Sequence, residues 1–212
     1  MSTMNTQDIG IFPLFAWPLF RHKLNNTDQS NQAILKIVET EPLRTNQGNL
    51  IHNSIEILER PELADLKKQL LENINYYAKE VLCYVDVECQ LLQSWINVTP
   101  PGMIHHIHSH RNSIISGTYY PFGTDKSPIV FHNPYEFQFV PNTDDTKQHP
   151  MGMISRNSVF VNPGPAELML WLSPMSHEVR ENKSENNRIS LSFNVMLRGF
   201  IGHKESLSGV SL

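Results

Sequence analysis

The sequence predicts a mainly β protein, a sandwich or barrel with helical support, and three observations carry that expectation. From Leu91 onward, short apolar or alternating runs are broken by Pro, Gly, Asn and Asp, the texture of an antiparallel β domain. Ahead of them lies one long segment with apolar residues at steps of three and four, the stripe of an amphipathic helix. The chain of 212 residues is 40 % hydrophobic and 18 % charged, which fits one soluble globular domain. Within it, residues 1–90 are expected to form an arm and supporting helices, and residues 91–212 the core.

The elements follow in order. The apolar run 9–20 carries Pro13 and Pro18 and has no basic flank before it. It is too short to span a membrane and reads as an edge strand or core-covering arm. Residues 30–40 place Ala33, Ile34, Ile37 and Val38 at helical spacing. Residues 45–53 are mostly polar and read as a loop. Residues 61–82 are the clearest helix, with Pro61 in the first turn and Glu62 and Asp65 suiting the N-terminal end of the dipole. Leu63, Leu66, Leu70, Ile74, Tyr77 and Val81 form its stripe, which is expected to cover a sheet. Strands are expected at 91–98, 104–110, 113–120, 128–132, 136–140, 158–161, 167–172, 178–180 and 188–197. The polar stretch 141–157 reads as a mobile loop near a site.

Charge and cysteine content narrow the function. The net charge is −4 with no basic block, so nucleic acid is not an expected partner. Cys83 and Cys89 are the only cysteines and read as reduced thiols of a cytoplasmic protein. No membrane association is expected, and a homo-oligomer is compatible with the sequence.

The chemistry concentrates in His106-Ile107-His108-Ser109-His110 and in a distant His177. Residues i and i+2 of a strand face one way, roughly 6–7 Å apart, and two such imidazoles can close on one ion with bonds of about 2.1 Å. His106, His108 and His110 therefore share a face, and His105 is expected to look the other way. The outer two would stand roughly 13 Å apart, so the pair is either His106 with His108 or His108 with His110. The second is favoured, because Arg111-Asn112 follows it like a turn. His177, after the turn-like Ser173-Pro174-Met175-Ser176, would be the third ligand. Imidazole suits Fe(II), Zn, Cu and Ni, and three ligands with open positions suit oxygen chemistry at non-haem Fe(II).

Eleven residues beyond His177, Arg188 opens an alternating run. Arg188, Ser190, Ser192 and Asn194 face one way, and Ile189, Leu191 and Phe193 the other. An arginine with a serine two residues on can hold a carboxylate by a bidentate pair and a hydroxyl bond.

Taken together, Trp95-Ile96-Asn97-Val98-Thr99-Pro100-Pro101-Gly102, His108-Ser109-His110, Ser116-Gly117-Thr118-Tyr119-Tyr120, Ser176-His177-Glu178-Val179 and Arg188-Ile189-Ser190-Leu191-Ser192-Phe193-Asn194 resemble the 2-oxoglutarate- and Fe(II)-dependent oxygenases. Within that superfamily they resemble a little-characterised group from marine bacteria and their phages. The resemblance covers roughly residues 91–200 and implies a double-stranded β-helix, a cupin-like jelly roll backed by helices. It implies that His108 and His177 are metal histidines and that His110 stands where the superfamily usually has Asp or Glu. It implies that Arg188 and Ser190 hold the far carboxylate of 2-oxoglutarate, with Asn97 and Tyr119 in the same pocket. The implied reaction couples decarboxylation of 2-oxoglutarate by O2 to hydroxylation of a small-molecule or peptide substrate. Imidazole in place of carboxylate raises the charge at the iron by one unit.

Two other readings compete. A cupin-type dioxygenase would use three histidines without 2-oxoglutarate, but Ile114 and Ile115 stand where its glutamate belongs and Arg188 has no role there. A non-catalytic jelly-roll binding or structural module would need no bound metal.

Overall fold

The computed structural model describes residues 16–124, 126–135, 156–202, 205 and 207–212. The strand expected at 136–140, nearly all of the loop expected at 141–157, and residues 9–15 of the apolar run lie outside them. The expected β texture resolves into two antiparallel sheets facing each other. The larger takes β1 (Phe20–Lys23), β2 (Leu43–Thr45), β3 (Leu50–His52), β4 (Val87–Thr99), β6 (Ile115–Tyr120), β9 (Glu167–Leu172) and β11 (Arg188–Ile201), in the order β1-β9-β6-β11-β4-β3-β2, with β12 (Val210–Ser211) added to β11. The smaller is β5 (His105–His108), β10 (His177–Val179), β7 (Ile129–His132) and β8 (Ser158–Val161), in the order β5-β10-β7-β8. This is a double-stranded β-helix.

Strand alternation decides what each face of the large sheet does. On its outer face Ile96, Val98, Ile115, Tyr119, Leu168, Leu170, Ile189, Leu191 and Phe193 join one buried core. α1 (Asp28–Thr40) and α2 (Ala64–Tyr76) close that core with Ile34, Ile37, Leu66, Leu70 and Ile74. Gly117 belongs to this face because a Cβ there would stand 2.3 Å from the Phe193 ring and 2.7 Å from Leu170. Between the sheets a second cluster holds Tyr120, Ile129, Phe131, Val161, Met169, Trp171 and Met175.

The long helix begins with a 3-10 turn at Pro61–Leu63 and ends in a π-helical turn at Tyr77–Val81. The π turn carries more residues per turn than an α-helix, so the stripe drifts out of phase. Leu63, Leu66, Leu70, Ile74 and Tyr77 are fully buried, whereas Val81 is 39 % exposed. Residues 45–53, expected as a loop, contain β3 and the turn of the β2–β3 hairpin. Their polarity misleads because β3 lies at the side of the sheet against β4, where only one face needs apolar cover. Phe20–Lys23 pairs with β9 as an edge strand. No helix of the described residues is long and apolar enough to cross a membrane.

Gly117→Ala should lower stability by roughly 1–3 kcal/mol, the usual result of overpacking. A thermal melt unchanged from wild type would show that Phe193 does not rely on this gap.

Candidate metal centre and anion pocket

The smaller sheet builds the histidine cluster. β10 pairs antiparallel with β5 and sets His177 directly opposite His108, with ring centroids 4.3 Å apart. Past the end of β5 the chain turns at Asn112, which takes φ +57°, a conformation that Asn tolerates better than most residues. The backbone N–H of His110 donates to the Ser173 carbonyl at 3.0 Å. His110 thereby comes back to lie 5.2 Å from both His108 and His177, ring to ring. His108, His110 and His177 each offer a ring nitrogen, and these atoms all lie within 4.8 Å of one another.

Hydrogen bonding decides which nitrogens are free. His108 Nδ1 contacts the His106 carbonyl at 2.8 Å and His177 Nδ1 the Met175 carbonyl at 3.0 Å. A carbonyl only accepts, so both Nδ1 atoms carry the proton and both Nε2 lone pairs are left for a metal. His110 is held by its backbone bond and by packing on Trp95, 5.8 Å between centroids. Trp171 packs edge-on to His177 at 4.9 Å.

Burial keeps these imidazoles neutral. It is the largest cause that pushes His108 down, His110 down to about 4 and His177 well below the usual histidine value. Repulsion within the cluster adds to it, and the bonds to the His106 and Met175 carbonyls oppose it at His108 and His177. Neutral imidazole is the form that binds a metal. The donor set thus suits a divalent cation of the Fe(II) or Zn(II) type.

Arg188 stands at the start of β11, 5 % exposed, on the face turned toward the smaller sheet. Its Nε donates to the Ser127 carbonyl at 3.2 Å, one terminal nitrogen to Ser190 Oγ and the other to Tyr120 Oη, both at 3.3 Å. Its guanidinium also lies 5.1 Å from the Tyr120 ring centre. All three partners are neutral, and no carboxylate among the described residues pairs with it. Leaving a buried charge uncompensated costs about 3–5 kcal/mol. Thr99, opposite Arg188 on β4, has a buried hydroxyl with no hydrogen-bond partner among the described residues. Both features call for an anion.

The other expected pocket residues divide. Ser190 contacts Arg188. Asn97, opposite Ser190, donates to Ser192 Oγ at 3.1 Å and accepts from Asn49 at 3.4 Å, so it is tied into the wall of the pocket. Tyr119 does not reach it. Its side chain lies on the outer face of the sheet and donates to Asn31 Oδ1 on α1 at 2.7 Å. The residue missed is Tyr120, which burial keeps as the neutral phenol against the pull of Arg188. It accepts from Arg188 and retains its own proton to donate. Alternation could have found it, since Tyr120 shares a face with Ser116 and Thr118 while Tyr119 does not.

His105 also departs from expectation. Four residues of β5, 105 to 108, span the same distance as three of β10, 177 to 179. This bulge shifts the alternation, so His105 turns to the same side as His108, 4.3 Å away ring to ring. Burial, then His108, His106 and Arg188, push it down to about 3.

Residues 93–194 match the model of a family described as "Putative 2OG-Fe(II) oxygenase". That span contains His108, His110, His177 and Arg188. The family match and the fold together support the 2OG-Fe(II) oxygenase superfamily. No curated protein matches the sequence. Among solved structures, the epimerase SnoN in complex with Fe3+, alpha ketoglutarate and nogalamycin RO is similar with a TM-score of 0.62 at 10 % identity, covering 92 % of this chain and 90 % of its own. A prolyl-4-hydroxylase from Pseudomonas putida has a TM-score of 0.56 at 16 % identity, covering 86 % and 93 %. HygX from Streptomyces hygroscopicus, with nickel and 2-oxoglutarate bound, has a TM-score of 0.57 at 10 % identity, covering 84 % and 82 %. At these identities the likeness is one of fold.

The depressed histidines link stability to pH. Between the unfolded value near 6.5 and about 4 for His110, the unfolded chain binds protons that the native protein refuses, so stability falls as pH drops through that window. Urea unfolding of the metal-free protein should show a loss between pH 6.5 and 4 that is smaller in His110→Asn. Identical losses in the two proteins would mean that His110 titrates normally.

Proposed function

We propose that the chain is an Fe(II)- and 2-oxoglutarate-dependent oxygenase that hydroxylates a small-molecule or peptide substrate with O2. The carrying observation is the buried guanidinium without a counter-charge among the described residues, set in the same inter-sheet space as three neutral imidazoles. A metal site alone does not call for that cation, and a dicarboxylate does.

In this reading His108, His110 and His177 hold the metal through nitrogens whose orientation the His106 and Met175 carbonyls and Trp95 fix. Arg188 takes the far carboxylate in a charge-assisted pair, and Tyr120, Ser190 and the free Thr99 hydroxyl supply further donors. Asn97 and Ser192 brace the wall behind them. When bound, iron with 2-oxoglutarate and O2 supplies the oxidising chemistry, with succinate and CO2 as products beside the hydroxylated substrate. The protein contributes orientation and exclusion of water. Phe131, Trp171 and Met169, with Trp171 against His177, form the apolar side of the chamber.

His110 in place of a carboxylate leaves the metal one unit more positive, which the dianionic co-substrate offsets. Placement within the marine bacterial and phage group is supported by the sequence motifs, and a cytoplasmic setting by the unpaired Cys83 and Cys89. A three-histidine cupin dioxygenase is the weaker reading because it gives Arg188 no partner.

The test is succinate formation from 2-oxoglutarate by Fe(II)-loaded protein. His108→Ala or His177→Ala should abolish it, and Arg188→Ala should raise the 2-oxoglutarate concentration needed roughly 10- to 100-fold, as expected for losing a charged hydrogen-bonded pair of about 1.5–3 kcal/mol. Folding is checked by circular dichroism. His110→Asp should retain iron and turnover. Unimpaired turnover in the histidine variants would remove the basis for the assignment.

A further inference from the structure

The bulge in β5 creates a second group of three imidazoles. His105, His106 and His108 each offer a ring nitrogen, again all within 4.8 Å of one another. The two triangles are nearly the same size. Ring centroids stand 4.3, 5.3 and 5.4 Å apart in the outer group and 4.3, 5.2 and 5.2 Å apart in the inner one. His108 belongs to both.

The outer group is set for coordination by the same device as the inner one. His106 Nδ1 contacts the Gln47 carbonyl at 3.1 Å, so it carries the proton and leaves Nε2 free. The His106 backbone N–H reaches that carbonyl at 3.4 Å, and the Ile104 N–H reaches the Gly48 carbonyl at 3.2 Å. The β2–β3 turn therefore pins β5 in place. Gly48 is required there, at φ +95° with the Ile104 carbonyl oxygen 2.9 Å from where a Cβ would stand. His105 Nε2 meets Asn46 Nδ2 at 3.5 Å, a contact long enough to yield to a metal at little cost.

We propose that His105, His106 and His108 form an outer seat for a divalent cation of the Zn(II) class, and that the outer and inner seats cannot both be filled. The exclusion follows from His108. Its Nδ1 proton is committed to the His106 carbonyl, and Nε2 has one lone pair, which serves one ion. A cation in the outer seat leaves the inner one with two imidazoles and takes His108 away from the proposed iron site. Three imidazole donors without a carboxylate favour Zn(II), Ni(II) or Cu(II) over harder ions. The seat thus gives the protein a metal-dependent off state. It goes beyond the oxygenase reading and shares with it only His108.

The test is Zn(II) titration of the metal-free full chain by calorimetry. Wild type should bind one tight equivalent. His177→Ala, which disables the inner seat, should still bind one, and His177→Ala with His106→Ala should bind none. Because His177 is buried, His110→Ala alone and with His106→Ala repeats the test at a half-buried position. Two tight equivalents in wild type, no tight binding in both inner-seat variants, or binding that survives the His106→Ala addition would each overturn the proposal. Those failures leave the oxygenase reading standing, since that reading fails on succinate formation.

Discussion

The antiparallel pairing of β10 on β5 is the constraint on which the rest depends. It brings residues 69 positions apart into register, His177 opposite His108, and it closes the smaller sheet over the inward face of the larger one. Carbonyls two residues back along the chain, His106 for His108 and Met175 for His177, then fix each ring and its tautomer. The same local geometry is thus used twice, once on each strand. The bulge in this pairing admits His105 as well, which is how a single strand carries two overlapping triads.

Electrostatics ties the two ends of the chamber together. At neutral pH the buried imidazoles carry no charge, so the cluster adds none of its own. Arg188 adds one positive charge, and its partners among the described residues are all neutral. A divalent cation brings the interior to three positive charges, and the nearby buried carboxylate of Glu167, opposite Tyr120, is already paired with Arg21. A dianion that bridges the two ends answers most of that excess, and 2-oxoglutarate has the two carboxylates to do it. The family match over residues 93–194 points the same way.

Much of this was legible in the sequence because strand alternation writes itself into residue order. The runs at 158–161 and 167–172 coincide with β8 and β9, and the polar face of residues 188–194 faces the inter-sheet space as alternation requires. What could not be read depends on partners distant in the chain. Tyr119 and Tyr120 are adjacent and chemically alike, and only the inward phase of β6 separates the one bonded to α1 from the one bonded to Arg188. Strict alternation turns His105 outward, and a bulge that reverses it leaves no mark in its own strand's sequence. The turn of the hairpin at residues 43–52 also binds β5 through backbone carbonyls, which no side-chain pattern reports.

The most direct measurement is an anomalous-difference map from crystals grown with Mn(II) and 2-oxoglutarate. The account predicts one strong peak bonded to Nε2 of His108 and His177 and to a ring nitrogen of His110, with the co-substrate chelating the ion at one end and its other carboxylate on Arg188. A peak ligated by other residues, or a co-substrate whose free carboxylate lies away from Arg188, would contradict it.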